Sequence, residues 1–119
     1  MARILLVEDE AILSMNIQME LEDMGHEVVG VARDSETAIS LLETERPELV
    51  LVDIVLHGEM DGIELASLIN RKYGTPIIYG TAHTDEATVR RANATKHFGI
   101  FFKPFRPYEM KEAIARALS

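Results

Sequence analysis

Five residues in this 119-residue chain are of types that could do chemistry together: the acids Glu8, Asp9 and Asp53, the hydroxyl of Thr81 and the ammonium of Lys103. Each lies just beyond a short apolar run: Ile4 to Val7, Leu49 to Val52, Ile77 to Tyr79 or Ile100 to Phe102. Singly, each has an ordinary explanation. An Asp after a strand opens turns, acids before a helix cap it, threonine is common near strand ends, and a lone lysine is usually a solvated surface group. Together they are restrictive. Two carboxylates about 4 Å apart repel by roughly 4 kcal/mol at an effective dielectric near 20. Three of them need a cation, or one must stay protonated, and Lys103 supplies only a single positive charge. Hard oxygen donors suit Mg²⁺. The chain has no cysteine and no histidine-rich cluster beside the acids, which argues against zinc or copper. A carboxylate nucleophile flanked by a cation, an ammonium and a hydroxyl meets the needs of phosphoryl transfer, where charge develops on the transferring oxygens. Aspartyl phosphate is a known type of covalent intermediate.

Such a cluster needs strands that end at a common edge. Five short runs, at residues 4–7, 28–32, 49–52, 77–79 and 100–102, are apolar at nearly every position, as strands covered on both faces are. Helical spacing separates them. Leu13, Ile17, Leu21 and Met24 form one stripe, and Ala38, Leu41 and Leu42 a second, after the capping types Asp34 and Ser35. Leu65, Leu68 and Ile69 form a third. A weaker helix is expected from Thr84 to about Asn93, and a last one carries Met110, Ile114 and Leu118 with Pro107 near its start. Five β-then-α units predict an α/β fold: a doubly wound, five-stranded parallel sheet in the flavodoxin-like order 2-1-3-4-5, with helices on both faces. A (βα)₈ barrel would need about 250 residues. In the open sheet, ligands bind beyond the carboxyl ends of the strands where the order reverses, between strands 1 and 3.

Length fits one domain, taken as residues 1–119. Twenty acids against twelve bases give a net charge of -8, which disfavours direct binding to nucleic acid or to anionic membranes. The first apolar run is too short for a signal peptide or a membrane span, so a soluble cytoplasmic protein is expected.

The stretches ILLVEDE at 4–10, LVLVDI at 49–54, MDGIELA at 60–66, PIIYGTA at 76–82 and FFKPF at 101–105 resemble the receiver domains of two-component response regulators, in order and over the whole chain. The resemblance implies roles position by position. Asp53 would be the phosphoacceptor. Glu8 and Asp9, with Asp53 and the backbone carbonyl of Val55, would hold Mg²⁺. Thr81 would be the switch hydroxyl and Lys103 the phosphate-pairing lysine, preceding a cis bond to Pro104. Val55 and His83 fall where side chains tune phosphate lifetime. The implied partners are a sensor histidine kinase or phosphotransfer protein and an unidentified output target. The implied output surface, also the route to a weak dimer, is helix 4, strand 5 and helix 5. There Glu109, Lys111, Glu112 and Arg116 face solvent, and Phe105 and Tyr108 are candidate contacts.

Three positions depart from the family pattern. Ile100 stands where an aromatic switch residue is usual. The segment VLHGEMDG, residues 55–62, is one residue longer than the common form and carries His57 in place of proline. His83 sits two after Thr81. Two other functions compete. An aspartate-nucleophile phosphohydrolase would want a second acid soon after Asp53, but the first is Glu59. A phosphorylation-independent interaction module on the same fold is left open by Ile100.

Overall fold

The computed structural model describes residues 1–82, 85–102 and 106–119. Strands and helices alternate: β1 (Arg3–Val7), α1 (Ala11–Asp23), β2 (Glu27–Ala32), α2 (Ser35–Glu45), β3 (Leu49–Asp53), α3 (Gly62–Lys72), β4 (Ile77–Thr81), α4 (Glu86–Asn93), β5 (Ile100–Phe102) and α5 (Pro107–Ala117). The sheet has the expected order β2-β1-β3-β4-β5, and every neighbouring pair is parallel.

Side-chain alternation along the strands divides the core into two layers. Leu5 and Val7 of β1, Val50 and Val52 of β3, and Ile77 and Tyr79 of β4 pack with Ala38 and Leu42 of α2, Leu65, Ala66 and Ile69 of α3, and Ala92 of α4. Their neighbours Ile4, Leu6, Leu49, Leu51 and Ile78 pack on the opposite face with Ile17 and Leu21 of α1 and Met110, Ala113 and Ile114 of α5. Central strands covered on both faces must be apolar at every position, and β3 and β4 are buried throughout.

The two edge strands correct the expectation of full burial. β2 is half-buried along most of its length. In β5, Ile100 and Phe101 are half-buried and Phe102 is 49% exposed. An edge strand has only one neighbour and less helix above it, so its apolar run records strand propensity more than burial. Two helix stripes shift as well. Leu68 is half-buried beside the buried Leu65 and Ile69, and Leu118 is 39% exposed as the C-cap of α5, whose inner face is completed by Ala113 and Ala117.

Helix starts follow their capping chemistry. The Asp34 carboxylate accepts from the Thr37 N–H at 2.8 Å, Asp85 from Thr88 at 2.9 Å, and Pro107 occupies the first turn of α5. α4 begins at Glu86 rather than Thr84, because Asp85 is its cap. Thr84 lies outside the described residues. Among those described, no helix is long and apolar enough to cross a membrane.

Candidate functional site: an acidic corner at the ends of β1 and β3

β1 and β3 lie side by side at the centre of the sheet. β1 continues outward to β2 and β3 to β4, so the chain leaves their carboxyl ends in different directions and opens a crevice there. Glu8 and Asp9 follow β1, and Asp53 ends β3. One carboxylate oxygen from each lies within 4.8 Å of the others. Glu8 is 2% exposed, Asp53 8%, and the Asp9 side chain 21%. At 4.8 Å each pair of charges repels by about 3–4 kcal/mol at an effective dielectric near 20. A backbone that imposes this proximity on buried acids suits a cation. The donors are all carboxylate oxygens, which a hard divalent ion prefers.

Local bonds set the carboxylates in place. The Glu8 N–H donates to the Ala32 carbonyl at 2.9 Å, tying the end of β1 to β2. A Glu8 oxygen accepts from the Glu10 N–H at 3.1 Å. Glu10, not Glu8 or Asp9, is the N-cap residue of α1, and it makes no side-chain cap bond. Asp53 Oδ1 accepts from the Val55 N–H at 3.1 Å. Asp53 thus does open a turn, and the same turn points its carboxylate toward the β1 acids. On the other flank Asp53 pairs in register with Gly80, and the Ile54 N–H donates to the Gly80 carbonyl at 3.0 Å.

The segment after Asp53 is anchored from beneath. Ile54 and Leu56 are buried, Val55 is at the surface, and the Gly62 N–H donates to the Ile54 carbonyl at 2.9 Å. Gly62 is pressed so closely on the end of β3 that a Cβ there would stand 1.9 Å from the Asp53 carbonyl oxygen. Asp61 caps α3 in a reciprocal box with Glu64 and forms an ion pair with Arg91 of α4 at 2.9 Å.

The other sequence-derived residues distribute as follows. Thr81 is fully buried at the end of β4, one residue beyond the partner of Asp53. Ile100 is half-buried, pairs in register with Tyr79 and packs on the core layer beneath α2, α3 and α4. Val55 meets Asp53 through its N–H. Lys103, its bond to Pro104, Phe105 and His83 lie outside the described residues. Tyr108 is exposed, and its hydroxyl donates to Glu112 at 3.2 Å.

Two contacts were not foreseen. His57 Nδ1 lies 2.6 Å from Asp9 Oδ2. Its replacement of a proline marked it as unusual, but nothing in the sequence pairs it with Asp9. The other is the close seat of Gly62 on the end of β3: the capping-box pattern Asp61-Gly62-Ile63-Glu64 marks where α3 starts but not how near it comes.

Residues 4–115 match the family described as "Response regulator receiver domain". The chain belongs to this family. Among curated relatives, this receiver domain is 36% identical over 117 residues to the transcriptional regulatory protein PdtaR of Mycobacterium tuberculosis, covering 98% of this chain and 57% of that protein. It is 30% identical to the phyllosphere-induced regulator PhyR of Methylorubrum extorquens, over 97% of this chain and 43% of PhyR. The receiver therefore spans about half the length of these relatives. A solved signal receiver domain, from a modulated diguanylate cyclase of Desulfovibrio desulfuricans, superposes with a TM-score of 0.94 at 32% identity, over 99% of this chain and 94% of that one. Receivers of this family are signalling domains.

Proposed function

We propose that this receiver accepts a phosphoryl group on Asp53, with Mg²⁺ held by Glu8, Asp9 and Asp53, and so changes the surface it offers to an output partner. The observation that carries the reading is the convergence of those three carboxylates within 4.8 Å at the switch point of the sheet. When bound, Mg²⁺ would supply charge stabilisation for the phosphoryl oxygens, and the Val55 carbonyl is the further ligand that family resemblance assigns.

The chemistry of this chain is nucleophilic. A carboxylate oxygen of Asp53 attacks the phosphorus of a phosphohistidine on a sensor kinase or phosphotransfer protein, or of a small phosphodonor. The bond from phosphorus to the donor atom breaks, its electron pair leaves with the donor, and an acyl phosphate forms. The buried hydroxyl of Thr81 and the ammonium of Lys103 are assigned to the phosphoryl oxygens. The product carries about 1.5–2 negative charges in place of the carboxylate's one, with three strong acceptors. Drawing Thr81 and Lys103 toward them would bias β4 and β5, hence the surface of α4, β5 and α5, between two packings. A sensor kinase as phosphodonor would fit a cytoplasmic receiver.

Intact-mass measurement after treatment with acetyl phosphate and Mg²⁺ tests the reading. The expected result is a gain of one phosphoryl group by the wild type and none by Asp53→Ala. Equal labelling of both proteins would move the acceptor elsewhere. No labelling of either would favour an interaction module that works without phosphorylation, the reading that Ile100 leaves open.

A further inference from the structure

Asp9 differs from its two neighbours in the acidic corner. Glu8 and Asp53 are almost fully buried and their carboxylates accept backbone N–H bonds. The Asp9 side chain is 21% exposed. The partner described for its carboxylate is the imidazole of His57, with Nδ1 2.6 Å from Oδ2. An ionised carboxylate has no proton to give. With Asp9 ionised, as a cation ligand is, the contact is attractive with the proton on Nδ1, so that Nδ1–H donates and Asp9 accepts.

His57 itself stands outside the ligand set. Glu8, Asp9 and Asp53 offer oxygens within 4.8 Å of one another, whereas no His57 nitrogen joins that group. Its side chain is 87% exposed, so it adds almost nothing to the core. It reaches back from the segment between Asp53 and α3 and holds one oxygen of Asp9 from the solvent side. Groups that hydrogen-bond to metal ligands in this way fix ligand orientation, and their loss typically costs 10–100-fold in metal affinity.

We infer that His57 is a positioning residue for the divalent-cation site: by donating to Asp9 Oδ2 it holds this partly exposed ligand in the orientation that Glu8 and Asp53 require. The inference rests on the cation site proposed above. It gives the longer segment after Asp53 a role, since a proline at position 57 has no side-chain donor.

Calorimetric titration of the 119-residue chain with Mg²⁺ tests it, using wild type, Asp9→Ala, His57→Ala and His57→Asn. Asparagine places an amide N–H at nearly the same distance from Cα as histidine Nδ1. The expected result is a Kd for His57→Ala raised about tenfold or more, restored by His57→Asn to within about threefold of wild type. Unfolding midpoints in EDTA should match across the His57 variants, since the side chain is exposed. If the wild type binds Mg²⁺ and Asp9→Ala does not, the cation site stands. A His57→Ala variant that then binds as tightly as wild type, or tighter, overturns the positioning role. So does a His57→Asn variant as weak as His57→Ala. If the wild type binds no Mg²⁺, the cation site falls and the inference with it.

Discussion

Gly62→Ala opposes two physical effects of different size. Gly62 is the first residue of α3, and on helix propensity alone alanine should stabilise by up to about 1 kcal/mol. Packing says the reverse. The new Cβ would stand 1.9 Å from the Asp53 carbonyl oxygen and 2.8 Å from both the Asp53 carbonyl carbon and Ile54 Cα. All three are backbone atoms, so no rotamer change relieves the clash. Opening 1.9 Å to a tolerable 3.0 Å requires a shift of about 1.1 Å between β3 and the start of α3. That shift strains the 2.9 Å bond from the Gly62 N–H to the Ile54 carbonyl, where a broken buried pair costs about 1–3 kcal/mol. Overpacking adds about 1–3 kcal/mol. The net expectation is a loss of about 1–5 kcal/mol, or roughly 4–20 °C in Tm for a domain of this size. Urea and thermal unfolding would measure it. Gly58→Ala and Gly74→Ala are the controls, because both positions have positive φ, 115° and 67°, with nothing within 4 Å of an added Cβ. Their cost is backbone strain alone, about 1–2 kcal/mol. Mg²⁺ affinity of the Gly62 variant should also fall, since the displaced atoms belong to Asp53. A Gly62→Ala protein as stable as wild type, or less perturbed than either control, would refute the close-packing argument.

Three further outcomes are expected. Thr95→Ala should destabilise more than Tyr79→Phe in urea unfolding: the two hydroxyls lie 2.7 Å apart, and Thr95→Ala leaves the phenol of the buried Tyr79 unpaired, at about 1–3 kcal/mol. Tyr79→Phe leaves Thr95 still donating to the Ala92 carbonyl at 2.6 Å and should cost about 1 kcal/mol. Acidification should weaken the fold through His97, whose pKa burial pushes below 6.5, and through His26, lowered by burial and then by the nearby N-terminal charge. Between the lowered folded value and about 6.5 the unfolded chain binds more protons, so stability is full above about 6.5 and declines as pH falls below it; a His26→Asn, His97→Asn double variant should show a flatter decline between about pH 7 and 5. Asp61→Ala should cost about 1–2 kcal/mol, mostly the lost cap of α3, whereas Arg91→Ala should cost under about 1 kcal/mol, because the Asp61–Arg91 pair is solvent-accessible; equal losses would place the energy in the ion pair instead.

The alternation of apolar runs and helical stripes was enough to derive the parallel sheet and its order, because covered strands and amphipathic helices leave periodic records in the residues themselves. Glu8, Asp9, Asp53 and Thr81 were legible for a related reason: each follows a recognisable strand, and parallel strands deliver their carboxyl ends to one edge. Edge effects were not legible. The runs in β2 and β5 look like those in β3, yet they are less buried, since coverage depends on what lies beside and above a strand. Nor were contacts between distant loops. Nothing near position 57 specifies that His57 should meet Asp9, 48 residues away, and nothing near position 62 states how closely α3 approaches the end of β3. Sequence periodicity encodes which face of an element turns inward. The distance between two side chains on separate loops is decided only when the whole sheet has set where those loops begin.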